Sequence, residues 1–461
     1  MVRVKEKALT LEEKLEQALV PVEEQPYEVP ENWCWVHVDG LYIINPKVVA
    51  ADDTEAAFIP MERIEAGINS AFTFERQTWS KARKGHTQFA DGDIAFAKIS
   101  PCFENRKSMI IEGLPNGIGG GTTELIVLRN PMVNQRFTYY QICSDSFIQG
   151  GRQTYSGTVG QQRISMDYVR SYPIPLPPLP EQHRIVEQID RLFSELDEAK
   201  EKAQAVIDGY EDRCASILHR AFTGELTEEW RQDQRISFDS WIVKPLCDLC
   251  DRIFDGPFGS NLKSDDYVEK GIRVVRLENL KNLWFDDSKK SFVTEEKYSS
   301  ISGHTVYPTD LIMATFIADE IKICQMPEYI GYAVNKADCI GIRVSNGTDK
   351  RFVLYYLSSK QTFNHLFNQL HGATRPRVNT KQIKAIPVPL PTLAEQAEIV
   401  RILDSLLSKE SAAKSLAERA IAQIDATKQS ILARAFRGEL GTNDPEDEPA
   451  IDLLKRTLEG T

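Results

Sequence analysis

The chain has 461 residues, of which 42% are hydrophobic and 26% charged, and this length is typical of about two to four globular domains. The net charge of −12 argues against a molecule that is basic over its whole surface, as nucleic-acid-binding proteins often are. No apolar run is long enough to cross a membrane, and the charged N-terminal residues lack the apolar centre of a secretory signal, so a cytoplasmic location without membrane contact is predicted.

The predicted elements begin with a helical segment at 1–26, in which Thr10 and Glu13 have the spacing of a capping box. A globular block follows at 27–178. Its β-rich runs AFIPMERI, GDIAFAKI and TELIVLR are separated by glycine, asparagine and aspartate, a pattern that predicts mixed α/β structure. The run GIGGG at 117–121 lacks the framework of a nucleotide-binding loop and is predicted to be a turn.

Polar residues of this first block are candidates for contact with DNA. The segment SGTVGQQRIS at 156–165 is rich in side chains that can read base edges in the major groove, although a solvated loop is the alternative. Basic clusters elsewhere in the block could contact phosphate, but solvated surface charge is the ordinary explanation for each. The candidates are Lys81, Arg83, Lys84, Arg106, Lys107, Thr158, Gln161, Gln162 and Arg163.

A long helix is predicted at 179–228, after the proline-rich run PIPLPPLP. Its apolar residues recur in alternating steps of four and three, the seam of a coiled coil that begins Ile185, Ile189, Leu192 and Leu196. About 40 residues of helix would extend roughly 60 Å. Residues 181–226 hold 11 acidic and 6 basic residues, a balance better suited to binding protein than DNA. Gly224, and Gly438 in the second copy of this helix, are the predicted C-caps, and 229–240 is a predicted linker.

A second block at 241–392 has the β-rich runs IRVVRLENL, DLIMATFI and CIGIRV. Traces of repetition link the blocks, because FIPMERI resembles VVRLENL, and Trp33 and Trp241 open the two blocks in similar settings. The segment HGATRPRVNT at 371–380 corresponds to the donor-rich segment of the first block. The DNA-contact candidates in this second block are Asn261, Lys263, Lys289, Lys290, Thr374, Arg375, Arg377 and Asn379.

Catalytic chemistry and metal binding have little support in the sequence. Asp310, Glu320 and Lys322 have the spacing of a metal-dependent nuclease core, but Asp310 corresponds to Asp93, which no Glu-x-Lys follows, so a structural position at a strand edge is predicted. Neither a Walker A loop nor an adenine methyltransferase signature occurs. The pair Cys247 and Cys250 lacks the further ligands of a zinc site, and the eight cysteines are predicted to be reduced. No catalytic and no metal-binding residue is predicted.

A second long helix is predicted at 393–440, followed by an acidic tail at 441–461. Residues 173–226 and 387–440 match at 25 of 54 positions without a gap. The second seam includes Ile399, Leu403, Leu406 and Ile424, with Glu410 where the first copy has Leu196. One helix alone would expose its seam, so the two are predicted to pair within the chain as an antiparallel coiled coil with a pseudo-two-fold repeat. The alternatives are packing of each helix on its own block and dimerisation between chains.

The doubled PLPPLPEQxRIV and SILxRAFxGEL segments, the opening YEVPENWCW, and DGPFGSNLKSDDY followed by RVVRLENL together resemble the specificity subunit of type I restriction-modification systems. The resemblance covers nearly the whole chain. It implies two target recognition domains that each read one half of a split site in double-stranded DNA, with the helices setting the gap. It also implies a subunit without catalytic activity or cofactor. Two S-adenosylmethionine-dependent modification subunits would dock on the helices, and restriction subunits that use ATP and Mg²⁺ would join them.

Two other classes of protein remain open at this point. A coiled-coil adaptor that binds only proteins would leave the donor-rich segments of the two blocks unexplained. A single-chain nuclease would need a catalytic motif stronger than the one at Asp310. Salt-sensitive binding to DNA would separate the adaptor from a specificity subunit.

Overall fold

A computed structural model describes residues 9–258, 261–370 and 376–460. Contacts within the chain define two compact units, of which unit 1 comprises Met1–Lys202 and Ala420–Thr461, and unit 2 comprises Ala203–Arg419. Each unit therefore combines one globular block with one part of each long helical segment, whereas the sequence predicted these segments as elements separate from the blocks.

Helices form in both long segments and within both globular blocks. In chain order they are α1 (Leu11–Ala18), α2 (Val38–Leu41), α3 (Trp79–Ala82), α4 (Gln135–Ile142), α5 (Asp145–Gln153), α6 (Met166–Ser171), α7 (Leu179–Asp208), α8 (Tyr210–Phe222), α9 (Glu228–Gln234), α10 (Glu295–Ile301), α11 (Lys350–Ser358), α12 (Lys360–Phe367), α13 (Thr380–Lys384), α14 (Leu393–Ala435) and α15 (Ala450–Glu459).

The strands fall in all six of the β-rich runs of the sequence. In chain order they are β1 (Cys34–His37), β2 (Ile43–Ile44), β3 (Glu55–Ile59), β4 (Glu75–Thr78), β5 (Thr87–Ala90), β6 (Ile94–Ala97), β7 (Ser108–Ile110), β8 (Ile118–Gly121), β9 (Leu125–Arg129), β10 (Pro173–Leu176), β11 (Ile242–Pro245), β12 (Cys250–Asp255), β13 (Tyr267–Val268), β14 (Ile272–Val275), β15 (Ser291–Val293), β16 (Thr305–Val306), β17 (Leu311–Ala314), β18 (Ile323–Gln325), β19 (Ala333–Asn335), β20 (Cys339–Val344) and β21 (Pro387–Leu390). The mixed α/β prediction is confirmed.

Unit 1 contains two four-stranded sheets, in the orders β2-β9-β6-β7 and β4-β3-β8-β5. In these sheets only the pair β3 and β8 is parallel. Successive side chains of a strand point to opposite faces, so β6 contributes to two cores. Ile94 and Phe96 lie in the core that includes Phe147 of α5, while Ala95 lies in the core that includes Phe89 of the other sheet. This double burial explains why β6 is apolar throughout rather than alternating.

The glycine run at 117–121 forms a strand, so the predicted turn is wrong for most of it. Gly119, Gly120 and Gly121 pair with β3 on one side and β5 on the other. A Cβ atom on Gly120 would lie 2.1 Å from the carbonyl oxygen of Ala82. Glycine is therefore required by the close approach of α3 to this strand, which the local sequence does not reveal.

Unit 2 repeats this topology with one additional strand, β13, at the edge of its second sheet. Its sheets have the orders β12-β20-β17-β18 and β13-β15-β14-β19-β16, and β14 and β19 form the parallel pair. Leu311 and Met313 face one core, and Ile312 and Ala314 the other, as in β6 of unit 1. The proline-rich runs before the long helices also behave alike, because β10 pairs only with β1, and β21 only with β11. Proline is tolerated in these strands because each has a free edge.

The long helices pair antiparallel, as predicted. In unit 1 the start of α7, with Ile185 and Ile189, packs in one core with Leu432 near the end of α14. Lys200 forms an ion pair with Asp425 (Nζ to Oδ1, 2.7 Å), and Asp197 pairs with Lys428, so residue numbers fall along one helix as they rise along the other. The seam residues Leu192 and Leu196 are half-buried against this core.

In unit 2 the relation is reversed, and the start of α14 packs against the end of α8. Ile399 and Leu403 are fully buried in a core with Phe222. Leu406 is half-buried, while Ile424, in the part of α14 that belongs to unit 1, is buried. The same cores contain residues of the globular blocks, so each helix packs both on its partner helix and on its own block.

The first helical segment is interrupted at Gly209, where the sequence predicted one helix of about 40 residues. Helix α7 ends at Asp208 and α8 begins at Tyr210, whereas α14 continues for 43 residues. Glycine weakens a helix by about 1 kcal/mol relative to alanine. Arg213 Nη2 donates a hydrogen bond to the carbonyl oxygen of Val206 across the interruption, at 2.7 Å. Gly224 and Gly438 both adopt positive φ, which agrees with the predicted helix ends.

The interruption of the second seam at Glu410 has a partner in the structure. Glu410 Oε2 lies 2.8 Å from Arg213 Nε, and both side chains are partly exposed. We expect Arg213→Ala to lower the free energy of unfolding by about 1 kcal/mol, because it leaves a carboxylate in the seam without its counter-charge. The double variant Arg213→Ala with Glu410→Leu should regain most of this loss. Urea unfolding measures both, and equal losses in the single and double variants would contradict the expectation.

The segments predicted as a linker and an acidic tail are packed on the blocks. The linker 229–240 includes most of α9, in which Arg231 is buried. The tail contains α15, which packs on α1, and Lys14 Nζ donates to the carbonyl oxygen of Leu458 at 3.0 Å. The predicted capping box at Thr10 and Glu13 starts α1. The linker belongs to unit 2 and the tail to unit 1, so each packs in the unit that contains the end of the helix before it, a role that their composition does not show.

Candidate nucleic-acid interface

The donor-rich segment of the first block forms a closed loop at 156–163. The backbones of Ser156 and Arg163 exchange two hydrogen bonds, of 3.0 and 2.9 Å, at its base. The amide of Gln161 donates to the carbonyl oxygen of Thr158 at 2.9 Å, and Gly160 has φ of +85°. A positive φ at the third residue is typical of a type II turn. Thr158 and Gln161 are exposed at this tip, whereas Gln162 is half-buried.

Arg163, predicted to read bases, is engaged by a carboxylate at the base of the loop. Its Nε and Nη2 donate to the two oxygens of Glu124 at 2.9 and 2.7 Å. Its Nη1 donates to the carbonyl oxygen of Gln161 at 3.0 Å. The hydrogen bonds from Arg163 hold the pKa of Glu124 below its ordinary value, so this carboxylate stays charged at neutral pH. No pattern in the sequence indicates Glu124 as the partner of Arg163, because Glu124 lies 39 residues away along the chain.

At the corresponding position in unit 2, an arginine also forms an ion pair with a carboxylate. Arg377 Nη2 lies 3.0 Å from Asp338 Oδ1, and its guanidinium lies over the ring of Phe316. Thr374 and Arg375 lie outside the described residues. Asn379 is exposed, but its side chain accepts a hydrogen bond from the amide of Gln382 and caps α13. A role as a helix cap therefore explains Asn379 without DNA.

The basic clusters of the first block differ in whether their side chains are exposed or already bound to other groups of the protein. Lys81, Arg83 and Lys84 are exposed around α3, with Arg83 in an ion pair with an aspartate on the surface. Arg106 instead binds Asp145 and donates from Nε to the carbonyl oxygen of Cys143 at 2.9 Å. Lys107 donates to the carbonyl oxygen of Met61 at 2.9 Å. These contacts hold Arg106 and Lys107 to the protein, so the first cluster is the better candidate for phosphate contact.

The candidates of the second block lie in surface loops. Asn261 and Lys263 are exposed just after the undescribed pair of residues at 259–260. Lys289 and Lys290 are exposed in the loop before β15, and Lys290 Nζ lies 3.2 Å from Asp287 Oδ2. Arg273, on the neighbouring β14, takes the carbonyl oxygen of Lys289 as an acceptor at 2.9 Å. The loop is thus held by its backbone, and its lysines remain at the surface.

Each globular block is tied to its long helix by the same polar contacts. In unit 1 Asp190 of α7 accepts from Arg136 Nε at 2.8 Å and from the hydroxyl of Tyr140. Gln182 accepts from the amide of Asn134 at 2.9 Å and donates to a proline carbonyl oxygen at 2.9 Å. Such repeated bonds between α4 and α7 fix the orientation of the block on its helix.

Unit 2 repeats these bonds between α11 and α14. Asp404 accepts from Arg351 Nη1 and from the hydroxyl of Tyr355, each at 2.6 Å. Gln396 accepts from the amide of Asp349 at 2.8 Å. The aspartate and glutamine of each copy are identical in the repeat, while the surface loops of the blocks differ. The structure therefore holds two different loop sets on one repeated support.

The nuclease hypothesis is not supported by the geometry around Asp310. Its carboxylate is buried and accepts from Arg343 Nε at 3.0 Å and Nη2 at 2.7 Å. Asp93 of the first block pairs with Arg129 in the same way, at 2.6 and 2.7 Å. Glu320 lies on the surface. The predicted structural role of Asp310 is confirmed, because the ion pair repeats in both units and occupies its oxygens.

Neither a metal-ligand cluster nor a membrane-spanning helix is found in the described parts of the chain. No group of three or more His, Cys, Asp or Glu side chains there is placed to hold a metal ion. All eight cysteines are free, and burial raises the pKa of Cys250 to about 12, which keeps its thiol protonated. Of the helices in the same parts, none is both long and apolar enough to cross a bilayer.

Comparison with known proteins shows that the chain is similar to one family of proteins. The family model "Type I restriction modification DNA specificity domain" matches residues 45–207 and 239–418, which together are more than half of the chain. The specificity subunit of type I restriction enzyme EcoAI of Escherichia coli is 38% identical over 215 residues, which are 45% of this chain and 36% of that subunit. The match thus spans little more than a third of that relative.

Other similarities extend over most of the chain. The specificity subunit of type I restriction enzyme EcoBI of Escherichia coli is 26% identical over 414 residues, 84% of this chain and 86% of that subunit. The HsdS subunit from Thermoanaerobacter tengcongensis has a TM-score of 0.60 at 19% identity, over 91% of this chain and 100% of that chain. A chain in a structure of a type I R-M system has a TM-score of 0.69 at 19% identity, over 90% and 100%. At these identities the structures show a shared fold.

Proposed function

The chain belongs to the type I restriction-modification DNA specificity family, and we propose from this membership that it is the DNA-recognition subunit of a type I restriction-modification complex. In this proposal one target recognition domain, at 27–178, reads one half of a split site in double-stranded DNA, and a second, at 241–392, reads the other. The antiparallel helices set the gap between the halves. The chain itself catalyses no reaction and carries no cofactor.

The proposal depends on one observation. The two blocks differ in their loops, but the same contacts fix each block to its long helix. The contacts of Asp190 and Asp404 with their blocks repeat closely, as do the ion pairs of Arg163 with Glu124 and of Arg377 with Asp338. The residues between these fixed points differ between the copies. Two readers of different sequence, held on a common spacer, are what recognition of an asymmetric split site requires.

The linkage of two readers explains how short half-sites suffice. Each wrong base pair costs on the order of 1–3 kcal/mol, so a reader that contacts a few base pairs discriminates only moderately. When both readers belong to one chain, the second half-site is bound at a high effective concentration, and the discrimination of the two halves combines. A stiff spacer also fixes the rotational phase of the halves on the duplex.

We further propose that two modification subunits, which bind S-adenosylmethionine, dock on the long helices. These helices expose Glu198 and Glu201 of α7 to solvent, and the surplus of acidic over basic residues at 181–226 suits a protein partner better than DNA. Restriction subunits that use ATP and Mg²⁺ would join this core, and the complex would act in the cytoplasm.

Mapping methylated adenines in the host genome with and without this gene tests the proposal. We expect one motif, with two short specific halves around a fixed gap, to lose methylation when the gene is deleted. A plasmid copy of the gene should restore it, because no other chain would supply the recognition domains. Unchanged methylation in a strain with a working modification subunit would overturn the proposal and favour the protein-binding adaptor.

A further inference from the structure

Backbone hydrogen bonds at the base of the loop 156–163 recur at the corresponding positions of unit 2, and we call this hydrogen-bonded arrangement the frame. In unit 1 the amide of Lys98 donates to the carbonyl oxygen of Glu124 at 2.8 Å, and the amide of Ile164 donates to the carbonyl oxygen of Lys98 at 3.0 Å. In unit 2 Thr315 occupies the position of Lys98, and its amide donates to the carbonyl oxygen of Asp338 at 2.9 Å. The frame therefore places a carboxylate beside an arginine in both copies.

The tip of the first loop presents an apolar side chain to solvent. Val159 is 90% exposed, although valine is usually a core residue. It stands between Gly157 and Gly160, both with positive φ, in the turn closed by the hydrogen bond from Gln161 to Thr158. The turn holds this side chain outward, away from the core of its own unit.

From this juxtaposition we propose that Glu124 is a positioning residue, which holds Arg163 and thereby the loop, and that Val159 at the loop tip contacts a thymine methyl group in one half-site. This inference rests on the proposed function. The C5-methyl group of thymine is the one apolar group that base edges present in the major groove, and small apolar side chains recognise it. Arg163 would then act through the shape of the loop, because Glu124 already takes its Nε and Nη2.

The ion pair between Glu124 and Arg163, which we call the clamp, lowers the entropic cost of DNA binding, because it orders the loop before DNA binds. A carboxylate near DNA is otherwise unfavourable, since it repels phosphate. The two effects of Glu124 therefore have opposite signs. If Glu124 is only a surface charge, Glu124→Gln should tighten binding, and if it positions Arg163, the same change should weaken binding.

The test for Val159 uses the full chain assembled with its modification subunits and duplexes that carry the genomic split site. Each thymine of each half-site is replaced in turn by deoxyuridine, which lacks only the methyl group. We expect the wild-type complex to bind one such duplex about three- to tenfold more weakly. The Val159→Ser complex should bind that duplex and the unmodified one equally. Equal ratios for wild type and variant at every position, or half-sites without thymine, would overturn the role of Val159.

The test for the ion pair of Glu124 with Arg163 compares Glu124→Gln with Glu112→Gln, the same change at an exposed carboxylate of unit 1. We expect the first to weaken site binding about tenfold and the second to leave it unchanged, with the same salt dependence for both. Amide hydrogen exchange of unit 1 checks that the fold is kept. Tighter or unchanged binding by Glu124→Gln would overturn the clamp. If the wild-type complex fails to bind any split site, the proposed function fails as well, which separates the two.

Discussion

Deleting one heptad from both spacer helices is expected to slow methylation at the original site at least about tenfold and to shift the remaining activity to a shorter gap. Helix α14 is the continuous element here, since it belongs to unit 2 up to Arg419 and to unit 1 from Ala420. Removing residues 201–207 together with 418–424 shortens both helical segments equally. It keeps the ion pair of Lys200 with Asp425 on one side and that of Arg213 with Glu410 on the other.

The size of the effect follows from helix and duplex geometry. Seven residues of helix correspond to about 10 Å, and this length equals about three base pairs. Three base pairs also rotate the duplex by roughly 100°, whereas a heptad leaves the helix face almost unchanged. The original gap should therefore lose at least about tenfold in methylation rate, which corresponds to about 1.4 kcal/mol.

A control for this deletion keeps the length of the spacer. Arg191 and Glu195 form an exposed ion pair within α7, so replacing both with alanine should leave the gap preference unchanged. Methylation of a duplex library with gaps of different length measures both variants. An unchanged gap preference in the double deletion would show that the helices do not act as a ruler.

Removing the charge of Glu395 is expected to destabilise unit 2 much more than the same change at Glu181 destabilises unit 1. The two glutamates are equivalent in the repeat and both are fully buried. Glu395 accepts from Trp241 Nε1 at 3.0 Å and forms an ion pair with Arg231, whose Nη1 lies 2.6 Å from Oε1. A buried charge that loses its partner costs about 3–5 kcal/mol, so Glu395→Gln should lower the free energy of unfolding of unit 2 by this amount.

Glu181→Gln is the matched control, because the groups that donate hydrogen bonds to Glu181 are neutral. They are Trp33 Nε1 at 2.7 Å, Asn443 Nδ2 at 2.9 Å and Thr442 Oγ1 at 3.2 Å. A glutamine there weakens hydrogen bonds without stranding a charge, at a cost of about 1–3 kcal/mol. Native-state hydrogen exchange reports each unit separately. Equal losses in the two units would show that Arg231 does not depend on Glu395.

Local patterns were sufficient for the elements and for the pairing of the helices. All six β-rich runs are strands, the capping box at Thr10 starts a helix, and Gly224 and Gly438 adopt positive φ where the helices were predicted to end. These features depend on neighbours within a few residues, or on the regular spacing of the seam. The antiparallel arrangement followed because each seam needs an apolar partner and the repeat supplies one.

Patterns of this kind failed where a distant residue decides the outcome. The glycines at 119–121 form a strand because α3 approaches them closely. Arg106 is a predicted DNA contact, and the structure adds its ion pair with Asp145, 39 residues away along the chain, which no local pattern indicates. A polar side chain looks the same in sequence whether it meets solvent, DNA or a carboxylate of its own domain.

The sequence by itself determined that the chain is built twice, that each copy joins an α/β block to a long helix, and that the copies differ in their loops. Only the tertiary structure decided which polar residues form ion pairs and hydrogen bonds within each unit and which remain exposed at the surface. Arg163 meets Glu124, and Val159 stands exposed at the tip of the loop. The physical reason is that periodicity reports local backbone geometry, whereas the partner of a charged side chain is chosen by a fold that joins residues far apart in the chain.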